Sequence, residues 1–120
     1  MTHEELNEVL EELFEEEKQL RTTKGVEYSS DEDALSNFKR IAQDLGLSPF
    51  QVWYTYFKKH VDAIAHFCRT GNALSEAIHS RILDCRLYLA LLEGLMREQE
   101  PILDGETRKR IISNYFAPPS

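Results

Sequence analysis

Cysteine is nearly absent from this chain. Cys68 and Cys85 stand alone, each embedded in apolar sequence. Two cysteines so placed support neither a disulfide framework nor a metal knuckle, and read as buried, reduced thiols of a cytosolic protein. His3, His60, His66 and His79 show no zinc spacing with them. The five glycines are scattered or sit where helices should end, so there is no glycine-rich phosphate loop. No Ser-His-Asp or Cys-His arrangement can be assembled. No apolar run approaches the roughly 18 residues of a membrane span. The opening MTHEELNEVL has neither the basic nor the apolar region of a signal peptide. Positive charge is also short, with 14 Lys and Arg against 21 Asp and Glu and a net charge of −7. Nothing would neutralise a run of phosphates, which argues against a nucleic-acid duplex as partner. These absences predict a cytoplasmic protein with no membrane association.

What is present is helical. A composition 42% hydrophobic and 29% charged over 120 residues predicts one globular domain, spanning 1–120 with 117–120 as a frayed tail. Thr2 and Glu5 have capping-box spacing, and Leu6, Val9, Leu10, Leu13 and Leu20 follow at helical intervals. They predict a first helix over 3–22, ended by the loop TTKGVEYSS with Gly25 as its stop. Ser30 or Asp31 is expected to cap a second helix, with Ala34, Leu35, Phe38, Ile41, Ala42 and Leu45 on one side and Gly46 at its end. Ser48-Pro49-Phe50-Gln51 combines a cap, a proline at the first helical position and a glutamine three residues after the cap. The third helix should run from there to Arg69 and stop at Thr70-Gly71, and a fourth should span 75–99. A short fifth helix is expected over 106–115. No segment alternates with period two. The fold class is therefore all-α: an antiparallel bundle of four main helices plus a short C-terminal one.

The charge is unevenly placed. Eight glutamates lie in the first twenty residues, while Lys58, Lys59, His60, His66 and Arg69 crowd the third helix behind the aromatic run WYTYF. A small anion, unlike a duplex, needs only a local positive site. On that helix Trp53, Phe57, His60 or Val61, Ile64 and Cys68 form the inward stripe, flanked by Tyr54 and Tyr56. Such aromatic surface either packs on two neighbouring helices or lines a pocket or subunit interface. Tyr56, Lys59 and His60 lie on adjoining faces, an aromatic plane beside cations, which is what a base attached to a phosphate requires. On the fourth helix Arg81, Asp84 and Tyr88 share a face, with Glu76, Ser80 and Asp84 as a neighbouring row among Leu83, Leu87, Leu91 and Leu95. Arg81 and Asp84 are spaced for a local salt bridge, but their apolar helix suggests that they face something specific. Glu8, Glu12 and Glu15 or Glu16 form either a solvated face or donors for a hard cation such as magnesium.

In order and spacing, KGVEY (24–28), ALSNFK (34–39), the Lys59-His60 pair and SEAIHSRILDCRLYL (75–89) resemble a family of small phage and prophage proteins, the nucleotide-modification-associated domains. These are distantly similar to the all-α nucleoside triphosphate pyrophosphatases of the MazG type. The resemblance covers about residues 18–97. It implies a phage or prophage origin and a nucleotide site between helices. It would draw together Lys24, Glu27 and Tyr28, then Asn37 and Phe38, then Lys59 and His60, then Arg81, Asp84 and Tyr88. MazG-like enzymes hold magnesium with paired acidic motifs, and this chain departs from that pattern. Arg81 stands three before Asp84, and His79 stands where an acid is expected. The resemblance therefore carries nucleotide binding further than hydrolysis.

Three functions follow as expectations. The first is a nucleotide-binding protein without cofactor, which sequesters a nucleotide or nucleotide-derived defence signal through Lys24, Lys59, His60 and Arg81, with Tyr28 or Tyr56 on the base or sugar. The second is a magnesium-dependent nucleotide pyrophosphatase using Glu12, Glu16, Glu76 and Asp84. The third is a helical protein-interaction module. Aromatic surface on the third helix and leucines on the fourth exceed what one small bundle buries, which predicts a homo-oligomer.

Overall fold

Helix boundaries in the chain are written largely in local chemistry. The computed structural model describes the backbone of residues 1–28, 33–72, 75–99 and 105–118, and their side chains apart from residues 24–28, 75 and 76. It contains five helices: α1 (His3–Tyr28), α2 (Ser36–Leu45), α3 (Pro49–Thr70), α4 (Ser75–Gln99) and α5 (Gly105–Tyr115). Among the described residues there is no strand, and no helix is long and apolar enough to cross a membrane. The fold is all-α.

Both capping boxes form. Thr2 Oγ1 accepts from the Glu5 amide at 3.1 Å while Glu5 Oε2 accepts from the Thr2 amide at 3.3 Å. Ser48 and Gln51 exchange the same pair of bonds at 3.1 and 2.9 Å, with Pro49 in the first turn. These bonds satisfy amides that no helical carbonyl can reach. At the other ends, Gly46 and Gly71 adopt left-handed φ of 69° and 66° and close α2 and α3. A side chain at either φ would strain the turn.

Two boundaries differ from the sequence expectation. α1 passes through Gly25 to Tyr28 instead of stopping near residue 22. A glycine in a helix costs only about 1 kcal/mol, and no proline stands in this stretch to break the ladder. α2 begins at Ser36, later than expected; Ser30 and Asp31, the expected caps, lie outside the described residues. The turn into α2 is made by Asp33, whose carboxylate accepts from the Leu35 amide at 2.9 Å and whose carbonyl accepts from Ser36 at 3.2 Å.

The core is small and lies where α2, the first half of α3 and the second half of α4 meet. Leu35, Phe38, Ala42, Val52, Trp53 and Leu95 are buried, with Ile41, Phe50, Phe57, Tyr88, Leu91 and Leu92 packed around them. α3 and α4 run antiparallel, because Trp53 reaches Tyr88 while His60, farther along α3, reaches Arg81, earlier on α4. Among the described residues, α1 packs on α4 alone, and α5 packs on none of the other four helices. One earlier expectation fails here: Cys68 is exposed, since its turn of α3 lies beyond the reach of the core, while Cys85 is half-buried. Burial pushes the Cys85 thiol above its ordinary range, an effect reinforced by the neighbouring Asp84 carboxylate and opposed by Arg81.

Candidate functional site

The α3 stripe requires an inward residue at position 60 or 61, and periodicity alone leaves the choice open. The helix turns His60 inward, to 5% exposure, and leaves Val61 41% exposed. A polar ring takes the core position while an aliphatic side chain meets water. Burying a polar group is costly unless it is bonded, and α4 supplies the partners. Arg81 NH1 lies 2.9 Å from His60 Nδ1, and Asp84 Oδ2 lies 3.7 Å from the same nitrogen. Arginine can only donate, so Nδ1 is the acceptor in this contact, and the imidazole bonded there is the neutral tautomer with its proton on Nε2.

Arg81 spends one donor on this bond. Among the described residues it pairs with His60 rather than with Asp84, and its other guanidinium donors have no protein partner. The group is half-buried.

An aromatic row leads up to it. The His60 ring is tilted against Tyr88 at 5.2 Å. Tyr88 meets Phe38 edge-on at 6.3 Å, and Phe38 meets Tyr56 in the same way at 6.3 Å. Edge-to-face contacts at these distances are the favoured arrangement of ring quadrupoles. α2 contributes Phe38, α3 contributes Tyr56 and His60, and α4 contributes Arg81, Asp84 and Tyr88. The row is pinned by Trp53, whose Nε1 donates to the Tyr88 carbonyl at 2.7 Å. Trp53 in turn stacks on Phe57 at 4.7 Å. Sequence reasoning placed Trp53 only in the core stripe. The available signal was that a buried indole N–H needs an acceptor, and the neighbouring helix is where one must be found.

The remaining site candidates are dispersed. Lys59, adjacent to His60, points out to solvent and has no ion-pair partner among the described residues. Lys58 is engaged by Asp62 at 2.9 Å on its own helix, which holds its ammonium above the usual lysine range. Asn37 is half-buried beside Phe38, and its Oδ1 accepts from Arg40. The side chains of Lys24, Glu27, Tyr28 and Glu76 lie outside the described residues.

The magnesium set does not assemble from the members that are described. Glu12 is exposed, and Glu16 is bound to His79 at 2.6 Å across the α1–α4 contact. Among the described residues no group of three or more His, Cys, Asp or Glu side chains is arranged to hold a metal ion. His79, the departure from the acidic pattern, thus occupies one of the carboxylates that the clamp would use.

Arg86 gives a second tie between α1 and α4, donating to Glu17 Oε2 at 3.2 Å, while its buried Nε has no partner among the described residues. No protein-family model matches the chain, and neither a curated protein nor a solved structure matches it.

Proposed function

We propose that the chain binds a nucleotide or nucleotide-derived small molecule at the α3–α4 seam and holds it without turnover, as a sequestering protein would. The observation that carries this reading is the half-buried Arg81 guanidinium, oriented by His60, with donors to spare at the end of an aromatic row. Guanidinium donors bind phosphate oxygens two at a time, and an aromatic ring offers a face to a base. Lys59, one residue from His60 and unpaired among the described residues, adds a second, solvent-facing cation. Binding is favoured over magnesium-dependent hydrolysis because the described acids are either dispersed or engaged, Glu16 by His79 in particular.

The test is calorimetry of the purified protein with a panel of mononucleotides and cyclic dinucleotides, with and without magnesium, followed by chromatography of the ligand released on heating. Intact ligand is expected. Arg81→Ala should weaken binding by roughly ten- to a hundredfold, the loss of a charge-assisted contact worth about 1.5–3 kcal/mol. Lys59→Ala should weaken it less, because that lysine stays in solvent. A protein that binds none of the panel, or an Arg81→Ala variant that folds and binds like the parent, removes the proposal. Turnover in the presence of magnesium supports the pyrophosphatase instead.

A further inference from the structure

The chain has more surface than a protein of its size should keep. Its accessible area is 9291 Å². A folded monomer of 14.0 kDa is expected to expose about 6,700 Å². The excess, roughly 2,600 Å² per chain, is what a large obligate homodimer removes from each partner. The radius of gyration agrees, at 17.0 Å. About 13.6 Å is expected for a compact chain of 120 residues, so the single chain is extended.

Exposed apolar side chains occur on every helix, Leu45, Tyr54 and Leu89 among them, and two surfaces gather them in rows. The apolar stripe of α1 is wider than α4 can cover. Val9, Leu13 and Leu20 are half-buried, while Leu6, Leu10 and Phe14, at four-residue spacing along the adjoining edge, remain 53%, 56% and 51% exposed. α5 is the other surface. Arg108, Ile111, Ile112 and Tyr115 share one of its faces, Phe116 follows, and the four apolar side chains are 47–80% exposed.

The charges on the two helices are opposite. α1 carries Glu4, Glu5, Glu8, Glu11, Glu12 and Glu15, mostly on the faces away from its stripe, and Lys18 lies over the Phe14 ring; α5 carries Arg108, Lys109 and Arg110 against a single acid, Glu106. Pairing α1 with a second α1 would bring two acid-rich helices together, at a repulsive cost.

We propose that α5 of one copy docks on the Leu6–Leu10–Phe14 edge of α1 of a second copy, and that the exchange is reciprocal, giving a two-fold dimer. Each copy then supplies one apolar edge on an acidic helix and one apolar face on a basic helix, so the two halves of the contact are complementary in the sign of their charge. This surface is separate from the Arg81 seam and does not depend on the nucleotide reading.

The test uses two variants at positions already exposed in the single chain, Leu10→Glu and Ile112→Glu, with circular dichroism to verify that helicity is kept. Light scattering behind size-exclusion chromatography should give twice the chain mass for the wild type and the chain mass for each variant. Mixing the two variants should restore a weaker dimer, because the intact α5 of one can meet the intact α1 of the other. A monomeric wild type, or a particle larger than a dimer, overturns the proposal. So does an Ile112→Glu variant that remains dimeric, which would show α1 pairing with α1. A mixture that stays monomeric also overturns it, since the two contacts would then not be exchanged between copies.

Discussion

His60 shows how one residue converts a stability problem into a binding geometry. Buried polar atoms must be bonded, and His60 meets that demand by accepting from Arg81 across the α3–α4 seam at 2.9 Å. The bond aims the guanidinium and leaves its remaining donors without a partner among the described residues. His60→Ala should therefore cost about 1–3 kcal/mol of stability, from the lost bond and from incomplete repacking against Tyr88. His60→Asn, whose amide oxygen takes the place of Nδ1, should recover part of that loss in thermal melts. If alanine and asparagine melt alike, the acceptor at this position is irrelevant and only the packed volume counts. The same residue marks where sequence reading stops. Positions 60 and 61 fit the inward stripe about equally well. It is Arg81 on the facing helix, donating to the ring, that makes the polar choice favourable.

At the scale of the element, α2 is positioned in part by ionised side chains. Lys39 bridges Asp33, at the turn into the helix, and Glu98 near the end of α4, each at 2.7 Å. Hydrogen bonds from Lys39 and then from the Leu35 amide hold the Asp33 carboxyl below its ordinary range. Bonds to Asp33 and then to Glu98 hold the Lys39 ammonium above its own. For Asp33, whose folded value lies below its unfolded one, the stabilisation is fully present above about pH 4 and is lost as pH falls from there through the lower folded value. For Lys39, with a raised value, it is present below about pH 10.4 and is lost as pH rises through the folded value. These side chains are 36–43% exposed, so solvent screening keeps the whole effect to about 1 kcal/mol or less. The urea midpoint of Lys39→Met should fall below that of the wild type at neutral pH, and the gap should close in acid. A gap of constant size down to pH 2 would mean that the lysine acts through its alkyl stem alone.

For the whole molecule, the governing fact is the shortage of core relative to surface. Among the described residues, six apolar side chains are buried where α2, α3 and α4 meet, α1 contributes none to that core, and α5 packs on no other helix. A core of this size supports little independent stability, and the reciprocal α1–α5 contact would supply the missing apolar burial. Thermal midpoints should accordingly rise with protein concentration for the wild type and stay flat for Leu10→Glu. A wild-type midpoint independent of concentration across two orders of magnitude would leave the folded chain as its own unit.

The parts of this protein that sequence alone determined are those whose causes lie within a few residues. The boxes at Thr2 and Ser48, the left-handed stops at Gly46 and Gly71 and the all-α class each depend on neighbours three or four positions apart. Gly25 was the exception. A glycine permits a left-handed stop without requiring one, and here the helix continues. The tertiary structure decided everything that needs a second helix. It put His60 rather than Val61 against Arg81, left Cys68 in water and tied Glu16 to His79. Periodicity ranks the faces of a single helix but says nothing of where its neighbour ends. The inward face of α3 is core at Trp53, a polar seam at His60 and open surface at Cys68, because the packing of α2 and α4 against it changes along its length.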